Sequence, residues 1–274
     1  MRDGMRAEAP IGMFDSGIGG LTVAKALMER LPRESLHYVG DTAHMPYGDK
    51  SPERLREYAY GIAERLRREG CKALVVACNS ASSNALEAVV EAAEGLPVID
   101  VVHPMVAWAA THHAGGRLAL IGTRATVQSD IYARLLRARG VEVTSLATPL
   151  LASAIEEGFH NGTISHAVVE AYFADGWAHD KDALVLACTH YPLVLEDIRA
   201  QLPPGMAILD APTVVSAYVE EVLRTRGLLS TATDTAFSRH RFEVTDWTQS
   251  FADGAAHILG HPVELLEVPW PETT

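Results

Sequence analysis

The sequence predicts an α/β protein: two similar doubly wound parallel-sheet domains built from a duplicated unit, with the active site in the cleft between them. Three observations predict it. The first is a phrase written twice. Ala73-Leu74-Val75-Val76-Ala77-Cys78-Asn79-Ser80 returns as Ala183-Leu184-Val185-Leu186-Ala187-Cys188-Thr189-His190. The second is the character of each copy: a continuous apolar run reads as a strand buried on both faces, the kind a parallel sheet uses. The third is the repeated order of parts. Each half runs strand, small-residue turn, helix, and later strand, cysteine, helix. Ser16 and Thr123 lie 107 positions apart and the two cysteines 110 apart. Each cysteine therefore falls at the carboxyl end of a strand, where open α/β sheets place their ligands.

Taken in order, Met1 to Pro10 reads as a loose tail, with charges but no signal-type apolar run after them. Ile11 to Phe14 is a strand that breaks at Asp15-Ser16-Gly17-Ile18-Gly19-Gly20 before a helix from Leu21 to Arg30. A glycine-rich turn there lets backbone N–H groups approach an anion. Neither dinucleotide nor P-loop spacing is present, so a carboxylate is the expected guest. Asp15 either caps this helix or serves the site. Leu36 to Val39 is the next strand, followed by an irregular loop through Pro46, Tyr47 and Gly48, where Tyr47 offers a hydroxyl and Gly48 an amide. Ser51 caps a helix from Pro52 to Glu69 whose apolar face is Leu55, Tyr58, Ile62 and Leu66. The first cysteine strand and a helix from Ser82 to Glu94 come next, then a strand from Pro97 to Val102 and a helix from Met105 to His113.

After Gly115-Gly116 the second unit begins. Arg117 to Ile121 is a strand, Gly122 to Thr126 fills the slot of the first glycine-rich turn, and Ser129 to Arg139 is helical. Val141 to Leu146 is a strand. Pro149 begins a helix carrying Glu156-Glu157, and Asn161 to Trp177 is another. The second cysteine strand leads to a helix from Leu193 to Leu202. The tail holds helices at 213–226 and 248–259 and strands at 241–245 and 263–268. The expected domains are 1–101 with 211–274, and 102–210.

The chain has 274 residues and a net charge of −12, which argues against a broad nucleic-acid or anionic-membrane surface. No apolar stretch is long enough for a membrane helix. Three cysteines, an odd number, suit a reducing compartment better than a disulfide framework. Cys71 follows Gly70 at a helix end without polar company and reads as structural. His103, His112 and His113 lack the spacing of a metal site, and none is expected.

Paired cysteines in a reduced compartment suggest a redox couple, a metal site or two acid–base groups. Redox pairs usually lie close in sequence as Cys-x-x-Cys, which is absent. A lone nucleophile needs no symmetric twin. Two thiols on opposite walls of a cleft suit proton transfer at both faces of one carbon, inverting it without a cofactor. A free thiol has a pKa of about 8.5, so the base needs activation by its neighbours.

At this point the motifs match a family. Phe14-Asp15-Ser16-Gly17-Ile18-Gly19-Gly20-Leu21, Gly40-Asp41-Thr42-Ala43, Pro46-Tyr47-Gly48, Ala77-Cys78-Asn79-Ser80-Ala81-Ser82 and Ala187-Cys188-Thr189-His190-Tyr191-Pro192 run in order. Ile121-Gly122-Thr123 with Thr126, and Ile155-Glu156-Glu157-Gly158, also fit. From about residue 10 to its end the chain resembles the glutamate racemases of the aspartate/glutamate racemase superfamily. The resemblance implies that Cys78 and Cys188 are the catalytic acid/bases. It implies that Asp15 supports Cys78, and that His190 and one of Glu156-Glu157, Glu156 by preference, support Cys188. Substrate would be held by Asp15, Ser16, Pro46, Tyr47, Gly48, Asn79, Ser80, Thr123, Thr126, Thr189 and His190. No cofactor or metal is implied. A cytoplasmic homodimer making D-glutamate for peptidoglycan synthesis is. Three departures stand out: His44 where the family commonly has Arg, Ser80 where it usually has Thr, and the Gly48-Asp49-Lys50 link, which differs from the commoner version on a loop flank. A racemase of another acidic amino acid such as aspartate, and a non-catalytic small-carboxylate binder, remain as alternatives.

Overall fold

A computed structural model of the chain describes residues 7–159, 162–236 and 239–270. Its strands form two sheets in which every pairing is parallel. The first takes β1 (Ile11–Asp15), β2 (Leu36–Gly40), β3 (Ala73–Val76), β4 (Val98–Asp100), β9 (Arg241–Val244) and β10 (Leu265–Glu267), in the order β10-β9-β2-β1-β3-β4. The second takes β5 (Arg117–Gly122), β6 (Glu142–Ala147), β7 (Ala183–Ala187) and β8 (Ala207–Leu209), in the order β6-β5-β7-β8. The core of the first sheet, β2-β1-β3-β4, has the same connectivity as the whole of the second. The duplication read from the sequence is thus one of topology, and β9 and β10 are additions to one edge.

Both cysteine strands are buried along their full length. Each Leu or Val taken out of water there contributes about 1.5–3 kcal/mol, so the apolar runs are explained by the sheet alone. In each sheet the chain leaves the central strand first to one side and then to the other. That reversal lies between β1 and β3 and between β5 and β7, and it opens a crevice beyond their carboxyl ends. Asp15, Cys78, Thr123 and Cys188 all stand at those ends.

Several boundaries differ from expectation, each for a local reason. The helix after Cys78 starts at once, at Asn79, and breaks at Ala85 into Asn79–Asn84 and Leu86–Ala92. The helix expected over Ser129 to Arg139 is the shorter Ile131–Arg137, which starts after Asp130, whose backbone is left-handed, and a separate helix Arg124–Gln128, capped by the Thr123 side chain, precedes it. β4 ends at Asp100, whose Oδ1 accepts the N–H groups of Val102 and His103 at 2.7 and 2.9 Å. That acceptor starts the helix Val102–His112 early, with Pro104 tolerated in its first turn. After Cys188 a 3₁₀ turn, Tyr191–Val194, precedes the helix Leu195–Ala200. Asp210 caps the helix Ala211–Thr225, while Thr163–Phe173 forms the helix expected from Asn161, a residue outside the described set. The tail is not loose from residue 7: Lys72 Nζ donates to the Ala7 carbonyl, and the Glu8 carboxylate accepts from Ser230 and Thr231.

Candidate active site

Cys78 follows β3 and Cys188 follows β7. Both thiols are buried and free, and both line one cleft between the two sheets' loops. Each has its own company.

On the first wall, Asp15 ends β1 fully buried. Its Oδ2 accepts the Gly20 N–H at 2.5 Å and the Thr189 hydroxyl, from the opposite wall, at 3.3 Å. Its Oδ1 has no hydrogen-bond partner. Burial raises the Asp15 pKa, against the opposing pull of His190. Burial, with the Asp15 charge adding to it, pushes the Cys78 thiol well above its ordinary value. Cys78 is therefore protonated at rest, 3.9 Å from the Ser16 hydroxyl.

The second wall sets an imidazole and a carboxylate beside its thiol. His190 Nδ1 lies 3.5 Å from Cys188 Sγ, and its Nε2 lies 2.5 Å from Glu156 Oε1. Burial alone disfavours the imidazolium, but the Glu156 carboxylate and Cys188 outweigh it and hold the His190 pKa well above its ordinary value. A cationic imidazolium against Sγ stabilises negative charge there.

The glycine-rich turn is where the walls meet. A carboxylate was expected on its amides, and two are present, both from the protein itself: Asp15 on Gly20, and Glu156 on the Ile18 N–H at 3.0 Å. A Cβ at Gly19 would stand 2.5 Å from both His190 Nδ1 and Thr189 Oγ1, so only glycine permits this approach.

The remaining expected residues fall into two groups. Ser16, Pro46, Gly48, Asn79, Ser80, Thr123 and Thr189 line the cleft. Ser80 and Thr123 hydroxyls meet across it at 2.8 Å. Asn79 Oδ1 accepts the Tyr132 hydroxyl at 2.7 Å, which fixes the amide and leaves the buried Nδ2 donor without a partner. Two residues behave otherwise than expected. Thr126 does not line the cleft; it accepts from the Thr123 hydroxyl at 3.0 Å and braces it from behind. Tyr47 lines the cleft with its ring, but its hydroxyl donates to Asp41 at 2.5 Å and is not free for a ligand. Glu157 is exposed and absent from the lining, so only Glu156 reaches His190. His44 sits outside the cleft, 2.9 Å from Asp41 and stacked on Tyr58.

Sequence reasoning missed Tyr132, Arg124 and Asp49. Arg124 follows the singled-out Thr123 and Asp49 sits in the Gly48-Asp49-Lys50 link, so both had a positional hint; Tyr132 carried no motif signal. Cys71 is buried beneath the first sheet with its pKa pushed up to about 12 by burial, an inert thiol. Among the described residues one metal-like cluster exists, His37, Glu69 and Glu243. It lies away from the cleft, and Arg65 and Arg241 occupy both its carboxylates, so it is an ion-pair network.

Comparison with known proteins follows the same line. The family model described as Asp/Glu/Hydantoin racemase matches residues 21–219. A glutamate racemase of Chlorobaculum tepidum is 39% identical over 264 residues, 96% of each chain. Among solved structures, a glutamate racemase of Francisella tularensis in complex with D-glutamate aligns with a TM-score of 0.88 and 35% identity, over 96% of this chain and 97% of that one. A glutamate racemase isoform of Bacillus anthracis aligns with a TM-score of 0.90 and 33% identity, over 97% and 99%.

Proposed function

The chain belongs to the Asp/Glu/Hydantoin racemase family, and from that premise we propose that it is a glutamate racemase working by two-base proton transfer between Cys78 and Cys188. One observation carries the mechanism: two buried thiols at equivalent strand ends of a duplicated unit line one cleft, one beside a carboxylate and one beside an imidazolium.

The substrate's α-carbon sits between the sulfurs. Its ammonium meets Asp15 Oδ1, the buried acceptor without a partner, and its α-carboxylate meets Asn79 Nδ2, the buried donor without one. Ser80, Thr123 and Thr189 add hydroxyls around them. Cys188, as thiolate beside His190, removes the α-proton from one face. Cys78, as thiol, delivers its proton to the other. The protons balance: one arrives on Cys188 and one leaves Cys78, and the reverse reaction starts from that state. Donors aimed at the carboxylate stabilise the carbanionic charge that forms between the two steps. No cofactor takes part. The cleft lies between units drawn at 1–101 with 211–274, and 102–210. The enzyme works in the cytoplasm as a homodimer and supplies D-glutamate for peptidoglycan synthesis. Among the described residues no helix is long and apolar enough to cross a membrane.

The test is circular dichroism of the purified protein with L-glutamate, D-glutamate and L-aspartate separately, no cofactor added. Loss of signal from both glutamates, with little from aspartate, is expected. Loss from aspartate alone keeps the mechanism and changes the substrate. An inert protein would favour a small-carboxylate binder.

A further inference from the structure

Tyr38 stands on β2, in the first sheet, and is 1% exposed. Its ring tilts against Phe242 with the centroids 6.2 Å apart. Its hydroxyl has one proton to give and gives it to the Gly17 carbonyl, in the glycine-rich turn, at 2.7 Å. The turn closes over that hydroxyl: a Cβ at Gly20 would stand 2.8 Å from it. Burial, with the charges of Asp15 and Glu156 adding to it, pushes the phenol well above its ordinary value, so it remains a donor at neutral and mildly alkaline pH. The reaction described above makes no use of it.

The acceptor is half of a peptide unit whose other half faces the second wall. The Gly17 C=O and the Ile18 N–H belong to one planar trans peptide and point in opposite directions. The Ile18 N–H donates to Glu156 Oε1 at 3.0 Å, and that same oxygen lies 2.5 Å from His190 Nε2. His190 Nδ1 in turn lies 3.5 Å from Cys188 Sγ. The approach is close: a Cβ at Gly17 would fall 1.8 Å from Glu156 Oε1. One hydrogen-bonded line therefore runs from a tyrosine of the first sheet to the thiol that follows the second. A donor on the carbonyl also polarises the peptide and strengthens the bond its N–H makes.

We propose that Tyr38 is a positioning residue for the Cys188 half of the reaction: by fixing the Gly17–Ile18 peptide it sets Glu156 against His190. This rests on the racemase reading above and extends it to a residue that does not line the cleft. Without the hydroxyl the buried Gly17 carbonyl loses its donor, and the peptide tilts, carrying the Ile18 N–H off Glu156. The carboxylate is then held less firmly on the imidazole. Glu156 and Cys188 face the His190 ring, and Asp15 acts on it from the first wall. Loosening Glu156 removes the strongest of these supports and makes the imidazolium easier to deprotonate.

The test is Tyr38→Phe, which keeps the ring and removes only the hydroxyl, measured alone, beside Glu156→Gln and in the double variant. Racemisation of both glutamate enantiomers is followed from about pH 6 to 9, with rates referred to the folded fraction read from thermal unfolding. Tyr38→Phe is expected to lower kcat about five- to tenfold with KM within about twofold, and to move the alkaline limb of kcat/KM toward lower pH. In the Glu156→Gln background it should cost less than about twofold, since no charge is left to aim at His190. A wild-type kcat with an unmoved alkaline limb would overturn the proposal. So would losses that multiply in the double variant, which would mean a hydroxyl that only braces the turn. A wild type inert toward both glutamates would overturn the proposal together with the glutamate reading, and it shows before any variant is made.

Discussion

Glu156 is the group whose removal should cost most for least structural damage. Glu156→Gln keeps the size and an acceptor for the Ile18 N–H, and it removes only the negative charge facing His190. The pair is 6% and 11% exposed, so water screens little of the interaction. A hydrogen bond to a charged partner is worth about 1.5–3 kcal/mol, and losing the charged character of this one translates into a roughly 10- to 100-fold drop in kcat/KM. The imidazolium is also easier to deprotonate without Glu156. The alkaline limb of the pH profile should therefore move toward lower pH, and the loss should grow as pH rises. The assay is initial racemisation rates for both enantiomers between about pH 6 and 9. Enantiomers have equal free energies, so kcat/KM must fall equally in both directions. Any asymmetry belongs to kcat and KM taken separately. A variant within twofold of wild type, with an unmoved alkaline limb, would refute a role for the Glu156–His190–Cys188 chain.

Further outcomes follow from other contacts. Tyr132→Phe frees the Asn79 amide to rotate and leaves its buried oxygen unpaired, and should raise KM for glutamate several-fold and lower stability by about 1–3 kcal/mol, read by steady-state kinetics beside a melting curve. Gly19→Ala forces His190 and Thr189 from their places and should cost more than 100-fold in kcat/KM, where a wild-type rate would show that the walls need not approach so closely. Glu243 is fully buried between His37, Arg65 and Arg241. Glu243→Gln leaves Arg65 and Arg241 without this partner and should cost about 3–5 kcal/mol, read as a lowered denaturation midpoint. Burial works against the Glu243 charge, but His37, Arg65 and Arg241 outweigh it and lower its pKa from 4.5. Its contribution is full above that ordinary value and is lost as pH falls through the lower folded one, so the variant should lose less stability on acidification than wild type.

Local pattern carried much of the fold. The two cysteine strands, the turn at Asp15 and the helix capped by Ser51 were legible because strand burial, glycine chemistry and capping act over a few residues. The halves' shared connectivity was legible because the chain repeats. What was not legible is whatever pairs across the cleft. Glu156 reaches Ile18 over a separation of 138 residues and Thr189 reaches Asp15 over 174, and no spacing encodes such contacts. The same holds for Tyr132 on Asn79 and Arg124 on Asp49. The bond from the Tyr47 hydroxyl to Asp41 was equally hidden, since a loop sequence does not reveal it. Helix starts at Arg124 and Val102 were placed late because acceptors at Thr123 and Asp100 begin the turn before the apolar periodicity does.

The decisive measurement is the distribution of deuterium after a small fraction of L-glutamate has been converted in D₂O. Two single-proton bases on opposite faces deliver solvent hydrogen to the product while the abstracted proton stays on the first thiol. D-glutamate should then carry deuterium at the α-carbon, and the remaining L-glutamate should carry almost none, with the mirror result from D-glutamate. Neither Cys78→Ala nor Cys188→Ala should support inversion. Equal deuterium in residual substrate and product at low conversion, or inversion by either single-cysteine variant, would contradict a two-cysteine mechanism.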